Sequence, residues 1–304
     1  MYDVIIIGGG PAGMTAAVYA GRKKLNTLLL SEDIGGQINI ASGPGKYEGY
    51  QILNGNELIR KFEDQTRKFP VEKKTGERVI TISSKNGAFK VKASNDNVYE
   101  ARAVIVAAGK RPRQLNVPGE DTFTGRGVSY CVACDGPLFA GMKVAVAGGN
   151  GAALEAADDM VRIAEHVYII TSNILGGNGI LINRLKKAKN VTIFEQHEIT
   201  EIAGDEFVNA IKIRDILAKK EKELEVGGVI IEMGLIPSSD FIKGILALNQ
   251  KGEIKVDCSG ATSVAGIYAA GDVTDVPEKQ LIIAAGAGAK AALQANRYLQ
   301  RLTT

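Results

Sequence analysis

Cysteine, histidine and long apolar runs are scarce in this chain, and each shortage removes a class of protein. Its 304 residues hold three cysteines, too few for the disulfide framework of a small secreted scaffold. The two histidines, His166 and His197, stand at no ligand spacing from Cys258, and a single C-x-x-C supplies only two zinc ligands, so no metal site is expected. No uninterrupted apolar stretch approaches the roughly 18–20 residues that cross a bilayer. The N-terminus opens on a strand-like Val4-Ile5-Ile6-Ile7, without the basic start and cleavage site of a signal peptide. The expected location is therefore cytoplasmic, with no membrane partner. A disulfide in that compartment is usually catalytic or redox-sensing. A large excess of charge of either sign is absent as well. A net charge of +3 permits docking to an acidic partner but lacks the clustered basic residues of a nucleic-acid binder. Runs such as Arg22-Lys23-Lys24 and Lys219-Lys220-Glu221-Lys222 read as solvated surface.

What is present is a normal globular balance, 45% hydrophobic and 23% charged, in a chain long enough for about two domains. Residues 3–32 read as strand, turn, helix, strand. The strand is Val4–Ile7, the turn Gly8-Gly9-Gly10-Pro11-Ala12-Gly13, and the helix carries Ala16, Ala17 and Ala20. A second strand, Thr27–Leu30, ends at Ser31 and Glu32. Each part of the turn has a physical role. Gly8 permits the tight turn, Gly10 lets the backbone approach a pyrophosphate, and Gly13 lets helix and strand pack closely. The helix N-terminus then faces the anion. Glu32, 19 residues after Gly13, stands where a carboxylate accepts hydrogen bonds from an adenosine ribose.

The pattern returns 140 residues later. Val144–Ala147 reads as a strand, Gly148-Gly149-Asn150-Gly151-Ala152-Ala153 as the turn, a helix with Leu154, Glu155 and Ala156 follows, and Val167–Ile170 is the next strand. The near-repeat implies a second nucleotide-binding-type domain. Its fingerprint is altered. Asn150 stands where Gly10 stood, so a side chain crowds the pyrophosphate position. Thr171-Ser172-Asn173 supplies neither an acid for a 2′-hydroxyl nor an arginine for a 2′-phosphate. The alteration argues for a retained fold and against tight NAD(P)H binding, although Ser172 and Asn173 offer neutral hydrogen bonds.

Before the second unit comes Tyr130-Cys131-Val132-Ala133-Cys134-Asp135-Gly136. C-x-x-C spacing lets two sulfurs close a small ring that opens without unfolding a domain. The attacking species is a thiolate, so the pair needs a proton donor and acceptor nearby. Asp135, adjacent to Cys134, is the candidate; it also reads as a helix N-cap or turn residue. Cys258, in Asp257-Cys258-Ser259-Gly260, has no partner and reads as structural.

With these residues in place, the chain resembles the low-molecular-weight thioredoxin reductases, over nearly its whole length. The resemblance is carried by GGGPAG at 8–13, Gly35-Gly36-Gln37, Ala108-Gly109 with Pro118-Gly119-Glu120, CVACDG at 131–136 and Ala270-Gly271-Asp272-Val273. It implies an α/β protein of two Rossmann-like, three-layer ββα nucleotide-binding domains, the second inserted in the first. An FAD-binding domain would be split between residues 1–113 and 243–304, and residues 114–242 would carry the redox cysteines. Strand-like Gly266–Ala270 and an alanine-rich helix from Gln280 are suited to finish the first sheet. The resemblance places FAD against Gly8, Gly10, Pro11, Ala12, Gly13, Glu32, Gly35, Gly36, Gln37, Ala108, Gly109, Gly271 and Asp272. Gln280 and Leu281 would open the helix that faces the flavin ring. It further implies a homodimer and thioredoxin as partner.

Two departures stand out. The segment Lys46-Tyr47-Glu48-Gly49 replaces the family's Asn-Tyr-Pro-Gly-like stretch near the flavin, and the second turn has lost its nucleotide signature. The latter resembles the branch whose donor is reduced ferredoxin. The leading expectation is a ferredoxin-dependent flavin thioredoxin reductase, with Cys131, Cys134 and Asp135 catalytic. The alternatives are an NADPH- or NADH-dependent thioredoxin reductase and a non-catalytic FAD-binding redox sensor.

Overall fold

The computed structural model describes residues 1–40, 55–85 and 87–302, with the side chains of Ile40, Lys85, Ala133 and Cys134 outside the description. The Lys46–Gly49 segment singled out above lies outside the described residues. The first stretch of chain forms β1 (Tyr2–Gly9), α1 (Pro11–Arg22), β2 (Thr27–Ile34), α2 (Gly55–Arg67), β3 (Val71–Thr75), β4 (Val79–Lys85), β5 (Ala88–Ala93) and β6 (Val98–Val106). After β7 (Lys110–Pro112) come α3 (Glu120–Phe123), β8 (Val128–Ser129), α4 (Val132–Asp135), β9 (Lys143–Ala147), α5 (Gly151–Val161), β10 (His166–Thr171), α6 (Gly179–Lys187) and β11 (Val191–Glu195). Then follow β12 (His197–Gly204), β13 (Val208–Asp215), β14 (Glu221–Glu225), β15 (Gly228–Ile231), β16 (Leu235–Pro237), β17 (Ile267–Ala269) and α7 (Leu281–Arg301). Two compact units result: Met1–Arg111 with Ile236–Thr304, and Pro112–Leu235 between them.

In the first unit the sheet order is β3-β2-β1-β6-β5-β4, and β17 pairs in parallel with β6. The central strands are buried on both faces, which is why they read as nearly continuous apolar runs. Alternation still sorts their side chains. Val4 and Ile6 join the alanines of α1 and α7, whereas Ile5 and Ile7 join Leu28, Leu30, Val104 and Val106 on the opposite face. The helices lie close because small residues line their contact: an added Cβ at Gly288 would come 2.0 Å from the Ala12 carbonyl oxygen.

The second unit has three layers. Its parallel sheet runs β11-β10-β9-β15-β8. Val144, Val146 and Ile230 pack against α5 and α6, while Ala145, Ala147, Val229 and Ile231 pack against the antiparallel sheet β12-β13-β14. The chain is a mixed α/β protein of this two-domain, Rossmann-like type.

Two boundaries differ from the sequence reading. Strand β2 continues past Leu30 through Glu32 to Ile34, because Gly9 still pairs with Ile34 beyond an irregularity in the ladder. The chain re-enters the first unit at Ile236, earlier than position 243. The reason is Ile242, which is fully buried in the first unit's core with Leu246 and Ile254. No described helix is long and apolar enough to cross a membrane.

Candidate functional site

The first glycine turn is built by close approaches. Gly8 sits at φ 112°, and a Cβ on Gly13 would fall 1.8 Å from the Gly8 carbonyl oxygen. Strand and helix can meet here only without side chains. Gly10 differs: a Cβ there would meet nothing nearer than the Gly35 oxygen at 4.0 Å, so its outer side is open. Pro11 begins α1 and has no N–H, and the amides of Ala12 and Gly13 have no intrahelical acceptor in the first turn. The turn thus offers donors, the positive end of a helix and room for an anion.

Distant segments converge on it. Gly9 N–H donates to Ser31 Oγ (2.7 Å), Gly35 N–H to Gly9 O (2.9 Å) and Gly36 N–H to Asp33 Oδ1 (3.0 Å). Glu32 is exposed at the end of β2. Gln37 Nε2 donates to Asp272 Oδ2 at 2.9 Å, joining residues 235 positions apart. Gly271, at φ 78°, lies against Ala12, where an added Cβ would be 3.0 Å from the Ala12 Cβ. Gln280 is the N-cap of α7 without a side-chain cap bond, and Leu281 packs on Ile38, Leu58 and Ile59. Ala108 packs at the edge of the core beside Gly109, which accepts from Ser238 N–H (3.0 Å). This open glycine cradle, with an exposed carboxylate on one side and a Gln–Asp pair on the other, fits a dinucleotide such as FAD.

Behind Asp272 lies a charged node the sequence reading did not pick out. Glu253, 6% exposed, accepts from Lys110 Nζ (2.8 Å) and Asn249 Nδ2 (2.8 Å), with Lys279 Nζ at 3.4 Å. Lys279 also donates to the carbonyl oxygens of Thr274 and Asp272. Burial works to raise the Glu253 carboxyl, but the Lys110 ammonium, the Asn249 amide and the charge of Lys279 outweigh it and bring it to about 2.

The cysteine segment follows β8 in the second unit. Cys131 is buried and disulfide-bonded, and its carbonyl oxygen accepts Asp135 N–H (3.1 Å) across the single turn of α4. Cys134 lies within α4. Asp135 precedes a short 3-10 turn, Gly136–Phe139, but its side chain makes no cap bond, so the N-cap role is not what holds it. Its Oδ2 instead accepts a hydrogen bond from Ser129 Oγ (2.6 Å), and Ser129 Oγ accepts Cys131 N–H (3.0 Å). Ser129 was missed in the sequence because a lone serine ending a strand has no signature; only the return of α4 brings Asp135 to it. Between Ser129 and Cys131 in the chain, Tyr130 Oη donates to Glu120 Oε1 (2.7 Å). Burial, and then the Glu120 carboxylate, push the Tyr130 phenol above its ordinary pKa. Cys258 is an exposed free thiol; the structural role expected for it is not supported by packing, since Asp257 holds that turn through Ser259 and Ala261 N–H.

The second turn keeps its backbone. Gly148 is at φ 138°, and Asn150 is extended at φ −121°, ψ −173°, as Gly10 is at −75°, −176°. A cleft of about 510 Å³ survives beside it, lined by Gly148, Gly149, Asn150, Thr171, Ser172 and Asn173, with Arg113, His197 and Met233 farther round. Thr171 fills the place of Ser31, its Oγ1 2.4 Å from where a Gly149 Cβ would stand. Among the described residues, no group of three or more His, Cys, Asp or Glu is arranged to hold a metal ion.

These features meet known proteins over almost the entire chain. A family model described as pyridine nucleotide-disulphide oxidoreductase matches residues 2–296. The F subunit of alkyl hydroperoxide reductase from Staphylococcus epidermidis is 38% identical over 301 residues, 99% of this chain and 59% of that protein. The chain therefore spans less than two thirds of the curated relatives' length. Among solved structures, Lactococcus lactis thioredoxin reductase matches with TM-score 0.80 and 32% identity, covering 99% of this chain and 100% of that one. A ferredoxin-flavin thioredoxin reductase from Clostridium acetobutylicum is more distant, at TM-score 0.54 and 29% identity, covering 99% of this chain and 98% of that one. With its glycine cradle, its disulfide-bonded Cys131 and a match from residue 2 to residue 296, the chain belongs to the pyridine nucleotide-disulphide oxidoreductase family.

Proposed function

We propose that the chain is a flavin-dependent reductase of a thioredoxin-type protein disulfide, acting through Cys131 and Cys134 and supplied with electrons by reduced ferredoxin. One observation carries the reading: a buried, disulfide-bonded Cys131 at the mouth of a one-turn helix whose Asp135 carboxylate is fixed by a hydrogen bond. FAD would be held by Gly8, Gly10, Pro11, Ala12 and Gly13 at its pyrophosphate and by Glu32 at its ribose. Gly35, Gly36, Gln37, Ala108, Gly109, Gly271, Asp272, Gln280 and Leu281 would line the rest. When bound, FAD supplies chemistry that accepts electrons singly or in pairs and delivers a pair to a disulfide.

The protein's own residues do the exchange. In the dithiol form, Cys131 thiolate attacks the partner's disulfide, giving a mixed disulfide and a departing thiolate. Cys134 then resolves it, re-forming the internal disulfide and releasing the second thiol. Asp135 takes a proton from one cysteine and hands it to the departing thiolate.

The donor assignment rests on Asn150 at the pyrophosphate position and on Thr171-Ser172-Asn173, which offers no charge to a ribose. A second reading keeps NADPH or NADH as donor, because a cleft of about 510 Å³ remains at that turn and the family is named for pyridine nucleotides. An anaerobic titration of the yellow holoprotein separates them. Bleaching by reduced ferredoxin, followed by thioredoxin reduction, is expected; rapid bleaching by micromolar NADPH or NADH would replace the ferredoxin reading by the second.

A further inference from the structure

We propose that Ser129 is a positioning residue for the dithiol chemistry, holding Asp135 in both of its protonation states. The inference rests on the reading of Asp135 as proton carrier given above. Ser129 is 3% exposed and ends β8, where it pairs with Ile230 of β15. Its backbone therefore belongs to the sheet, while Asp135 belongs to the turn of α4.

The serine hydroxyl has three neighbours. Cys131 N–H donates to it at 3.0 Å, Asp135 Oδ2 lies at 2.6 Å and Cys131 O at 3.3 Å. A hydroxyl carries one proton and two lone pairs. While Asp135 is ionised, the proton points to Oδ2 in a charge-assisted bond. When Asp135 is protonated, its O–H donates to the free lone pair of Oγ, and the serine proton turns to Cys131 O. In either state none of these polar groups loses its partner, so the gain or loss of a proton at Asp135 is accommodated by the rotation of one hydroxyl. The same atom ties the carboxylate to the backbone of Cys131, the residue proposed to attack.

The step this serves is balanced. One partner disulfide becomes two thiols, the Cys131–Cys134 dithiol becomes one disulfide, and two protons pass from the cysteines to the partner, one of them by way of Asp135. Without the hydroxyl, Cys131 N–H and Asp135 each lose a hydrogen bond, and the protonated acid has no acceptor set by the sheet.

The test is a single-turnover measurement that needs no physiological donor. Holoprotein reduced with dithionite and freed of excess is mixed anaerobically with oxidised thioredoxin, and the rate of thioredoxin reduction is followed. Asp135→Asn should slow it by about 100-fold. Ser129→Ala should slow it by about tenfold, with flavin absorbance unchanged and the thermal transition lowered, since buried Cys131 N–H loses its acceptor. Ser129→Thr should restore the rate to within about threefold, whereas Ser129→Val, close to threonine in volume, should not. The double variant Ser129→Ala/Asp135→Asn should be no slower than Asp135→Asn, because the two residues act as one unit. A wild-type rate in Ser129→Ala, equal rates for the Thr and Val variants, or losses that multiply in the double variant would each overturn the proposal. Should Ser129→Ala not fold, the Thr and Val pair decides. A wild-type rate in Asp135→Asn would instead remove the proton-carrier reading on which the proposal stands.

Discussion

At the scale of single residues, chemistry and stability come from different carboxylates. Asp135 is held by one hydroxyl beside Cys131, whereas Glu253 is buried among two lysines and an amide. Replacing Cys131 or Cys134 with serine should abolish thioredoxin reduction and leave FAD bound; the yellow absorbance of the purified variants and a coupled disulfide assay check both halves. Glu253 predicts an acid transition. Its folded-state pKa of about 2 lies below the ordinary value of 4.5, so its contribution is complete above about pH 5 and is lost as pH falls through 2. That contribution is on the order of 3 kcal/mol. Glu253→Gln should lose about this much at pH 7, and its deficit should shrink toward pH 2; urea midpoints at both ends of the range measure it. Residue-scale function was partly legible beforehand. The cysteines and Asp135 are adjacent in sequence, but Ser129 and Glu253 acquire meaning only from neighbours that folding brings.

At the scale of elements, glycine separates close packing from mere composition. Helices α1 and α7 meet where Gly288 would drive a side chain into the Ala12 carbonyl, while Gly286, two residues earlier, is exposed with nothing within 4 Å of an added Cβ. Gly288→Val should cost about 2 kcal/mol or more by overpacking. Gly286→Ala should be neutral or stabilising by up to about 1 kcal/mol, since alanine is the better helix former. Thermal denaturation of the two variants side by side gives the contrast, and equal losses would contradict this packing. The strand–turn–helix units were legible because Gly8, Gly13 and the apolar runs act over a few residues. The end of β2 was not, because Ile34 stays in the strand through its pairing with Gly9 on another element.

At the scale of the whole molecule, the proposed donor makes an electrostatic prediction. A chain of net charge +3 reduced by an acidic ferredoxin should show a rate of flavin bleaching that falls several-fold between about 10 and 500 mM salt, as screening shortens the reach of the attraction. A flat salt profile in stopped-flow would count against that docking. The reading also carries a homodimer, for which sedimentation velocity of the holoprotein should return twice the chain mass. Sequence alone determined the α/β class, the glycine turns and the cysteine spacing, because steric limits on backbone turns and the alternation of apolar residues are local properties. Only the tertiary structure decided the Gln37–Asp272 bond across 235 positions, the re-entry of the chain at Ile236, the seat of Asp135 on Ser129 and the survival of a cleft beside Asn150. Each depends on which distant surfaces bury one another, and that is settled by packing of the assembled core.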